Sequence, residues 1–575
     1  MRWMTPFGVV LGGLALACAP TPAPPPAQAP PAAPAPPAAP AAPAANVVPG
    51  TSKDAWYLDP WSLGWEQPKN TGGTFTYAVN SSPPQLLSPW GRNLQSRVFA
   101  DNTYDGLLGR RLQPGKSGLE ADVFCRLCES WELKADQKTW AFKLRQNVKF
   151  HDGGDFTGED VKFSLDKVMT AETGSEFRSL LATTIAEVKV PEKYIVEVIT
   201  KEPDSDLANK LGFGGITIVS KTAFDSGVDL TKTIVGTGPF KMERFEKDVE
   251  FVAVRNPTFW GGPDRPYIDR LVGKFVGDKS TRAAGFVSKQ LDISTTFDAK
   301  EMEPIAKAVP SAKVVNYGGI LASNWTVNIN KKPFDDVRVR KAMNLAIDRD
   351  EIGLAVTAGL GKRYTGHVLP YDWLAAAFTE AELAKFPGWA KPKDQEIAEA
   401  KRLLAEAGYP NGFTAKATAD RTSTSNAPMN EAASSQMTKI GVDITLDHTD
   451  TAVFNTNEST CNGDLFLSTR AGSNSVVSGQ LLRMVTGSAQ NFCKYSNPEF
   501  DKLFQEMNRT FDEKKRWELV KKATQILMDD MPSIPLMEAA QHSIQHPWVH
   551  NWYNQGHSWG FPWYPATELL WVDKH

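Results

Sequence analysis

The chain has 575 residues, of which 41% are hydrophobic and 22% charged, and its formal net charge is −3. So small an acidic excess argues against a nucleic-acid partner, because nucleic-acid-binding proteins present basic surfaces. Beyond the N-terminus no stretch approaches the roughly 18 uninterrupted apolar residues of a membrane-spanning helix, and about 500 residues remain for a large core in more than one domain.

Residues 1–18 are typical of an export signal. Arg2 supplies a positive charge, residues 7–17 form an apolar run too short to span a bilayer, and Cys18 follows at the expected cleavage point. A cysteine there predicts lipidation, which would anchor the protein to a membrane outside the cytoplasm, in the periplasm or at the cell surface. Leu16 lies one position later than in the usual lipoprotein signal, so ordinary cleavage that leaves Cys18 free is the alternative.

Residues 19–70 are predicted to be a tether and a lead-in. Residues 19–45 are almost entirely alanine and proline, a composition that favours extended polyproline II structure over a packed core. At about 3.1 Å per residue this tract reaches on the order of 80 Å. Trp56, Trp61 and Trp65 follow, and they either pack on the domain, which we favour, or lie at a membrane interface.

Strands and amphipathic helices are interspersed through the rest of the chain. Apolar and polar residues alternate within 74–79 and 139–144, which predicts two strands. Helix starts are predicted at caps, namely Thr157 with Asp160, Asp335 or Asp336, and Asn497 before Pro498. No internal repeat is present, so the sequence indicates an α/β protein with several layers.

Four cysteines follow Cys18, and an even number in an exported protein permits disulfides. Cys461 and Cys493 are the favoured pair. Cys125 and Cys128 bridge to each other, stay reduced, or form half of a metal site, although a single C-x-x-C is a weak zinc signal.

Several segments carry a resemblance to one family. The most specific is GTGPFKMERFEKDVEFVAVRNPTFW at 236–260, and others lie at 129–165, 331–352, 400–413 and 495–504. In this order they resemble the large extracellular solute-binding proteins of family 5, which feed peptide, nickel and related bacterial ABC importers. The resemblance runs from about Gly72 to the C-terminus.

The resemblance implies a two-lobed fold of the periplasmic-binding-protein type II class with an extra inserted domain. The first lobe is discontinuous and would take residues 70–117, 219–318 and 538–575. The inserted domain would take 118–218 and the second lobe 319–537. A solute would lie in the cleft between the lobes.

Motifs for catalysis or metal binding are missing or weak. The sequence contains no G-x-S-x-G and no H-E-x-x-H. His542, His546 and His550 share a spacing, but Pro547 interrupts it and an exposed polar strand or loop is favoured over a metal site. Gly236 and Gly238 are interpreted as a tight backbone passage, where glycine supplies conformational freedom. We expect no catalytic residue, metal or cofactor.

Four loops are candidates for solute contacts by their position in the family. Their residues are Asn80 and Ser81 after the first strand, Tyr104, Trp325, and Arg470, Ser473 and Asn474 within 468–474. Peptide binders of the family often carry Trp-x-x-Asp at this last loop, whose carboxylate holds the peptide ammonium group.

This chain has STRAGSN at 468–474 instead. An ammonium group buried without an anion costs several kcal/mol, so we expect a solute that lacks a free α-ammonium or binds it elsewhere. Arg470 can pair with a carboxylate or phosphate; alternatively it points to solvent or pairs with Asp464.

The sequence therefore predicts a monomeric, tethered, non-enzymatic receptor that captures a peptide-like or other small solute and delivers it to an ABC permease and ATPase. The alternatives are a sensory lipoprotein that signals to a membrane receptor and, least favoured, a hydrolase on the same fold.

Overall fold

The computed structural model describes residues 65–79, 82–83, 94–111, 122–173, 175, 177–212, 216–230, 232–297, 299–317, 322–357, 378–421, 426–470, 477–538, 541–552 and 566–573. Cys18 and most of the predicted tether lie outside this part of the chain. Within it, no helix combines the length and apolar character needed to cross a bilayer. Trp65, the last tryptophan of the lead-in, is buried.

The largest sheet has seven strands in the order β12-β18-β11-β1-β10-β9-β8. Their bounds are Thr74–Val79 (β1), Phe240–Glu246 (β8), Glu250–Arg255 (β9), Arg270–Phe275 (β10), Ile293–Phe297 (β11), Lys313–Tyr317 (β12) and Gln541–Gln545 (β18). β1 pairs in parallel with both β10 and β11. The predicted strand is β1, in which Phe75, Tyr77 and Val79 are fully buried as expected, but Ala78 on the opposite face is buried as well, so the alternation ends at Tyr77.

A second sheet is antiparallel, in the order β4-β5-β7-β6. Its strands are Cys128–Leu133 (β4), Thr139–Leu144 (β5), Ile185–Glu192 (β6) and Ile195–Thr200 (β7). The predicted strand is β5, which buries Trp140, Phe142 and Leu144. Two-stranded pairs are formed by Leu108–Arg111 (β2) with Asp122–Cys125 (β3) and by Val549–His550 (β19) with Trp571–Val572 (β20).

The third sheet has five strands in the order β15-β14-β16-β13-β17. They are Ala322–Val327 (β13), Phe413–Asp420 (β14), Val442–Thr449 (β15), Leu465–Arg470 (β16) and Ser533–Glu538 (β17). β14 runs parallel to β15 and β16, whereas β13 is antiparallel to β16 and β17.

Helices cover the sheets and connect their strands. Their bounds are Leu94–Thr103 (α1), Gly158–Met169 (α2), Arg178–Ala182 (α3), Leu207–Leu211 (α4), Lys221–Asp225 (α5), Lys279–Val287 (α6), Ala299–Ala308 (α7), Val337–Ala346 (α8), Arg349–Thr357 (α9), Glu380–Leu383 (α10), Asp394–Glu406 (α11), Asn426–Met437 (α12), Thr451–Ser459 (α13), Val477–Leu481 (α14), Pro498–Arg509 (α15), Glu513–Asp530 (α16) and Ala566–Leu569 (α17), with short 3₁₀ turns at Thr438–Ile440 and Leu482–Met484.

The predicted helix starts are confirmed. Thr157 and Asp160 form a capping box at α2, and Asp336 accepts from the Arg338 amide at the start of α8. Asn497 caps α15, with proline in its first turn. Each cap satisfies amide groups that the first helical turn leaves without carbonyl partners.

The seven- and four-stranded sheets share one hydrophobic core, whereas the five-stranded sheet has its own, built with α8, α11 and α12. Along the described strands, the chain enters the five-stranded sheet between β12 and β13 and leaves it between β17 and β18. The two crossings are neighbours at both ends, because Tyr317 pairs with Gln541 and Ala322 with Glu538.

Candidate solute site

One predicted solute residue, Arg470, lies beside the crossings. Asn80, Ser81, Ser473 and Asn474 lie outside the described residues. Arg470 is the last residue of β16, and its backbone pairs with Ala322, the first residue of β13. Since Ala322 also pairs with Glu538, three strand ends meet where the chain passes from one sheet to the other.

Asp464, the alternative partner predicted for Arg470, has two other partners. Its Oδ1 forms an ion pair with Lys331 at 2.5 Å, and its Oδ2 accepts from the Lys416 amide at 2.9 Å. Asp464 therefore ties β14 to the segment that follows β13.

Trp325 and Tyr104 are core residues in this structure. Trp325 is fully buried, and its Nε1 donates to Asn430 Oδ1 at 2.9 Å. Tyr104 is also buried, and burial raises the pKa of its phenol. Neither side chain lines a described cavity, so their prediction as solute contacts has no support from their positions.

The neighbours of Trp325 point to the other face of β13, as the two-residue period of a strand requires. Asn324, Thr326 and Ser468 contribute polar groups to a cavity of about 40 Å³ beside Cys493. This volume holds about three water molecules, and it is too small for a peptide-sized solute, whose pockets start at about 300 Å³.

A larger cavity of about 340 Å³ lies between the four-stranded-sheet region and helices α14 and α15. Thr184, Lys201 and Lys210 line one wall, and Asn508 and Arg509 line the other. Lys210 is neutralised by Asp204 at 2.5 Å. Among the described residues, no group within hydrogen-bond distance serves the buried Oδ1 of Asn508.

The two walls of this larger cavity touch each other at its rim. The Ser205 amide donates to the Asn508 carbonyl at 2.7 Å, and Gln490 Nε2 donates to Ser179 Oγ at 3.1 Å. Asp206, which is buried, accepts from Ser478 Oγ at 2.6 Å. Sequence reasoning missed these contacts.

A buried ionic cluster lies within the shared core. Arg126 Nε donates to Asp105 at 3.0 Å and its Nη1 to Glu568 at 2.8 Å, and all three side chains are at most 1% exposed. Asp105 Oδ2 also accepts from Thr237 Oγ1 at 2.9 Å and from Trp260 Nε1 at 2.7 Å. The cluster joins distant parts of the chain, and each polar group in it compensates a buried charge.

The predicted backbone passage at 236–239 packs on α1. A Cβ atom on Gly236 would overlap the Thr103 carbonyl oxygen, and one on Gly238 would lie 2.6 Å from the Thr103 carbonyl carbon. Glycine is therefore required at both positions because the backbone passes close to that of Thr103. Neither glycine has the positive φ that the predicted conformational freedom would imply. Two of the resembling segments also meet here, since the His151 amide donates to the Gly236 carbonyl.

The three C-terminal histidines do not converge on one point in the described structure. His546 is buried and stacked between Phe286 and Trp548, which corrects the prediction of an exposed segment there. His550 contacts Glu66 and Asp573. Among the described residues, no group of three histidine, cysteine or acidic side chains has the geometry of a metal site.

The described cysteines form two disulfides, Cys125–Cys128 and Cys461–Cys493. The first encloses Arg126, the centre of the buried cluster. The second joins the segment after α13 to the loop that borders the smaller cavity.

The model of the bacterial extracellular solute-binding proteins, family 5 Middle, matches residues 123–492. The chain belongs to this family. The match confirms the resemblance predicted from residues 129–165, 236–260 and 331–352, and it covers the four-stranded sheet and most of the five-stranded sheet. The family consists of transport binding proteins.

Two curated relatives carry different names. The glutathione-binding protein GsiB of Salmonella typhimurium is 29% identical over 318 residues, which are 55% of this chain and 59% of that protein. The chain thus spans about three fifths of this relative's length. Heme-binding protein A of Haemophilus influenzae is 27% identical over 515 residues, 82% of this chain and 88% of that protein.

Solved structures show the same fold. The periplasmic binding protein DppA from Helicobacter pylori, in complex with the peptide STSA, has a TM-score of 0.72 at 23% identity, over 88% of this chain and 99% of that one. AgaA from A. tumefaciens, in complex with agropinic acid, gives the same values. The predicted α/β fold of the periplasmic-binding-protein type II class is confirmed.

Proposed function

We propose that this protein is a non-enzymatic, extracytoplasmic receptor that encloses a small solute between two lobes and delivers it to an ABC import permease driven by its own ATPase. The observation that carries the proposal is the family match over residues 123–492. The paired crossings supply the geometry, since two adjacent short connections let two bodies close on a ligand.

The sheets support the proposed division into lobes. The seven-stranded sheet draws its strands from residues 74–79, 240–317 and 541–545, in keeping with a first lobe of 70–117, 219–318 and 538–575. The four-stranded sheet suits an inserted domain at 118–218, and the five-stranded sheet a second lobe at 319–537. Lipidated Cys18 and the tether at 19–70 complete the proposal by holding a monomeric receptor near the membrane.

The cargo follows from the loop at 468–474. Arg470 ends β16 beside the crossings, where a solute touching both lobes would lie, and the loop carries no carboxylate. We assign the solute an anionic group that pairs with Arg470, with Asn80, Ser81, Ser473 and Asn474 as neutral hydrogen-bonding partners. Glutathione and agropinic acid, which the relatives' names mention, both carry carboxylates.

Native mass spectrometry of the full-length protein tests this proposal. The protein is extracted under mild conditions from the membranes of the cells that produce it. We expect a co-purified small mass that is lost on denaturation and that contains a carboxylate or phosphate. Arg470→Ala should lose that mass, while Arg338→Ala, at an exposed pair with Asp336, should keep it. A mass that carries no carboxylate or phosphate, or retention of the mass by Arg470→Ala, would overturn the assignment of Arg470.

A further inference from the structure

The first described residues of the chain are attached to its C-terminal end. Trp65 is 3% exposed, and the Glu66 amide donates to Asn551 Oδ1 at 2.9 Å. Asn551 Nδ2 donates in return to the Glu66 carbonyl at 2.7 Å and also to the Leu569 carbonyl at 2.9 Å. Residues 65–66 therefore pack on the folded body.

His550 adds a charged contact to this junction. Its Nδ1 lies 2.9 Å from Glu66 Oε2, and its Nε2 lies 2.8 Å from Asp573 Oδ2. The ring stacks on Trp571 with 3.7 Å between the ring centroids, and the His550 side chain is 12% exposed. Among the described residues, Glu66 and Asp573 are the ionisable groups within ion-pair distance of the ring. We call these three side chains the clasp.

The geometry of the clasp determines which charge state of His550 it needs. A neutral imidazole has one N–H group and one nitrogen lone pair, whereas the imidazolium has two N–H groups. Only the imidazolium can donate to Glu66 and Asp573 together, because in the neutral ring one lone pair would face a carboxylate oxygen. Histidine is the side chain whose charge ordinarily changes between about pH 5 and 8. The clasp is therefore complete on the acid side of this range and weakens as the pH rises.

We propose that the clasp is a pH-sensitive attachment of the N-terminal segment. It holds residues 65–71 on the C-terminal end of the chain while His550 carries its proton, and it favours their release when the proton is lost. Release would stop at Gly72, whose amide donates to the Tyr267 carbonyl at 2.6 Å.

Release would lengthen the free N-terminal segment. Residues 65–71 span at most roughly 25 Å when extended, which would add to the reach of the alanine- and proline-rich tract that precedes them in the chain. This consequence rests on the proposed tether and lipidated Cys18. The clasp itself involves described residues alone and is independent of lipidation.

Hydrogen exchange of the full-length protein tests the clasp between about pH 6 and pH 8.5, where carboxylates ordinarily stay ionised. The Glu66 amide reports the attachment because it donates to Asn551 Oδ1, and protection factors correct for the pH dependence of exchange itself. We expect the protection of Glu66 to fall at least about tenfold as the pH rises, while that of the Gly72 amide stays unchanged. Equal protection of Glu66 at both pH values would overturn the proposal.

Two substitutions separate the charge of His550 from its packing. His550→Gln removes the positive charge, so the protection of Glu66 should be low at both pH values. Asp573→Asn gives Nε2 a partner that can donate as well as accept, so neutral His550 keeps both contacts and Glu66 should stay protected at the higher pH. A merely structural role for Asp573 predicts loss of protection at every pH, and that result would overturn the proposal.

His448→Gln is the matched control. His448 lies on β15 of the five-stranded sheet, where its Nε2 is 3.5 Å from Asn430 Nδ2. This variant should leave the protection of Glu66, and its fall with rising pH, unchanged. If His448→Gln and His550→Gln changed the protection of Glu66 equally, the clasp would have no special role.

Fractionation of the producing cells tests the proposed tether separately. Recovery of the protein outside the membrane fraction, with Glu66 responding to pH as expected, would contradict the tether and leave the clasp standing. Recovery with the membrane, with Glu66 insensitive to pH, would contradict the clasp alone.

Discussion

The molecule contains two buried ionic clusters in which an arginine pairs with an aspartate, and the two clusters differ in their surroundings. Arg126, Asp105 and Glu568 lie within the core shared by the seven- and four-stranded sheets and are at most 1% exposed. The cluster of Asp206, Ser478 and Arg516 lies between two regions, and the Arg516 side chain is 18% exposed. Water therefore reaches the edge of the second cluster but not the first.

Because of this difference in exposure, we interpret the Arg126 cluster as part of the stable core and the Asp206 cluster as a contact that can open and close. Opening the Arg126 cluster would leave three charges in the core without their ionic partners, which is strongly unfavourable. Parting the Asp206 cluster exposes its groups to solvent, which can replace the lost partners. We therefore expect the Arg126 cluster to contribute more to the free energy of unfolding. We expect the Asp206 cluster to contribute more to the contact between the four-stranded-sheet region and helices α14 to α16.

The largest expected effect is that of Arg126→Met. The substitution keeps the volume but leaves Asp105 and Glu568 buried without their cation, which should lower the free energy of unfolding by about 3–5 kcal/mol. Urea unfolding followed by fluorescence measures it. Lys307→Gln, at an exposed pair with Glu303, serves as control and should be neutral. A loss for Arg126→Met below about 1 kcal/mol, the size of a surface effect, would remove the contrast between the clusters.

Local sequence signals predicted much of the fold but few of the contacts in either ionic cluster. The capping box of Thr157 and Asp160 and the cap at Asn497 are encoded within a few residues, so the helix starts were predictable. Arg126 binds partners 21 and 442 residues away, and Asp206 and Ser478 are 272 residues apart. No periodicity or spacing encodes such contacts, since only the folded chain brings them together.

The site was predicted less well because position in a family does not specify which way a strand faces. Trp325 was chosen for its position in the family, yet its side chain packs in the core of the five-stranded sheet. Its neighbours Asn324 and Thr326 reach the small cavity. Trp325 as a solute contact therefore stays a prediction, which its buried position does not favour. For Asn80, Ser81, Ser473 and Asn474 the prediction stands as made.

An intermediate effect is expected for Trp260→Phe, which tests how much one donor contributes to the first cluster. Trp260 Nε1 donates to Asp105 at 2.7 Å, and phenylalanine leaves that carboxylate oxygen with one partner fewer. We expect a loss of about 1.5–3 kcal/mol, the usual contribution of a hydrogen bond to a charged group, since Thr237 still donates to the same oxygen. Trp389→Phe is the matched control, because the Trp389 indole nitrogen has no hydrogen-bond partner among the described residues. Urea unfolding measures the loss of stability in both variants. If the two losses were equal, the loss in Trp260→Phe would come from the smaller ring and not from the missing hydrogen bond.

The smallest effect concerns the pH dependence of the second cluster. The folded-state pKa of Asp206 is lowered, relative to about 3.9 for an unfolded aspartate. Its contribution to stability is therefore fully present above pH of about 4 and is lost as the pH falls through the folded-state value. Asp206→Asn should cost about 1 kcal/mol at pH 7, since the parted groups regain water.

That cost should shrink as the pH falls from 5 toward 3, since wild type then loses the same charge that the variant lacks. Thermal unfolding of both proteins across this range measures the difference, and Arg126→Met run in parallel shows whether general acid destabilisation is responsible. A wild type–variant difference that grows on acidification would mean that Asp206 is protonated in the folded protein at neutral pH. The second cluster would then be a hydrogen-bonded contact rather than an ionic one, and Arg516 would need another anion.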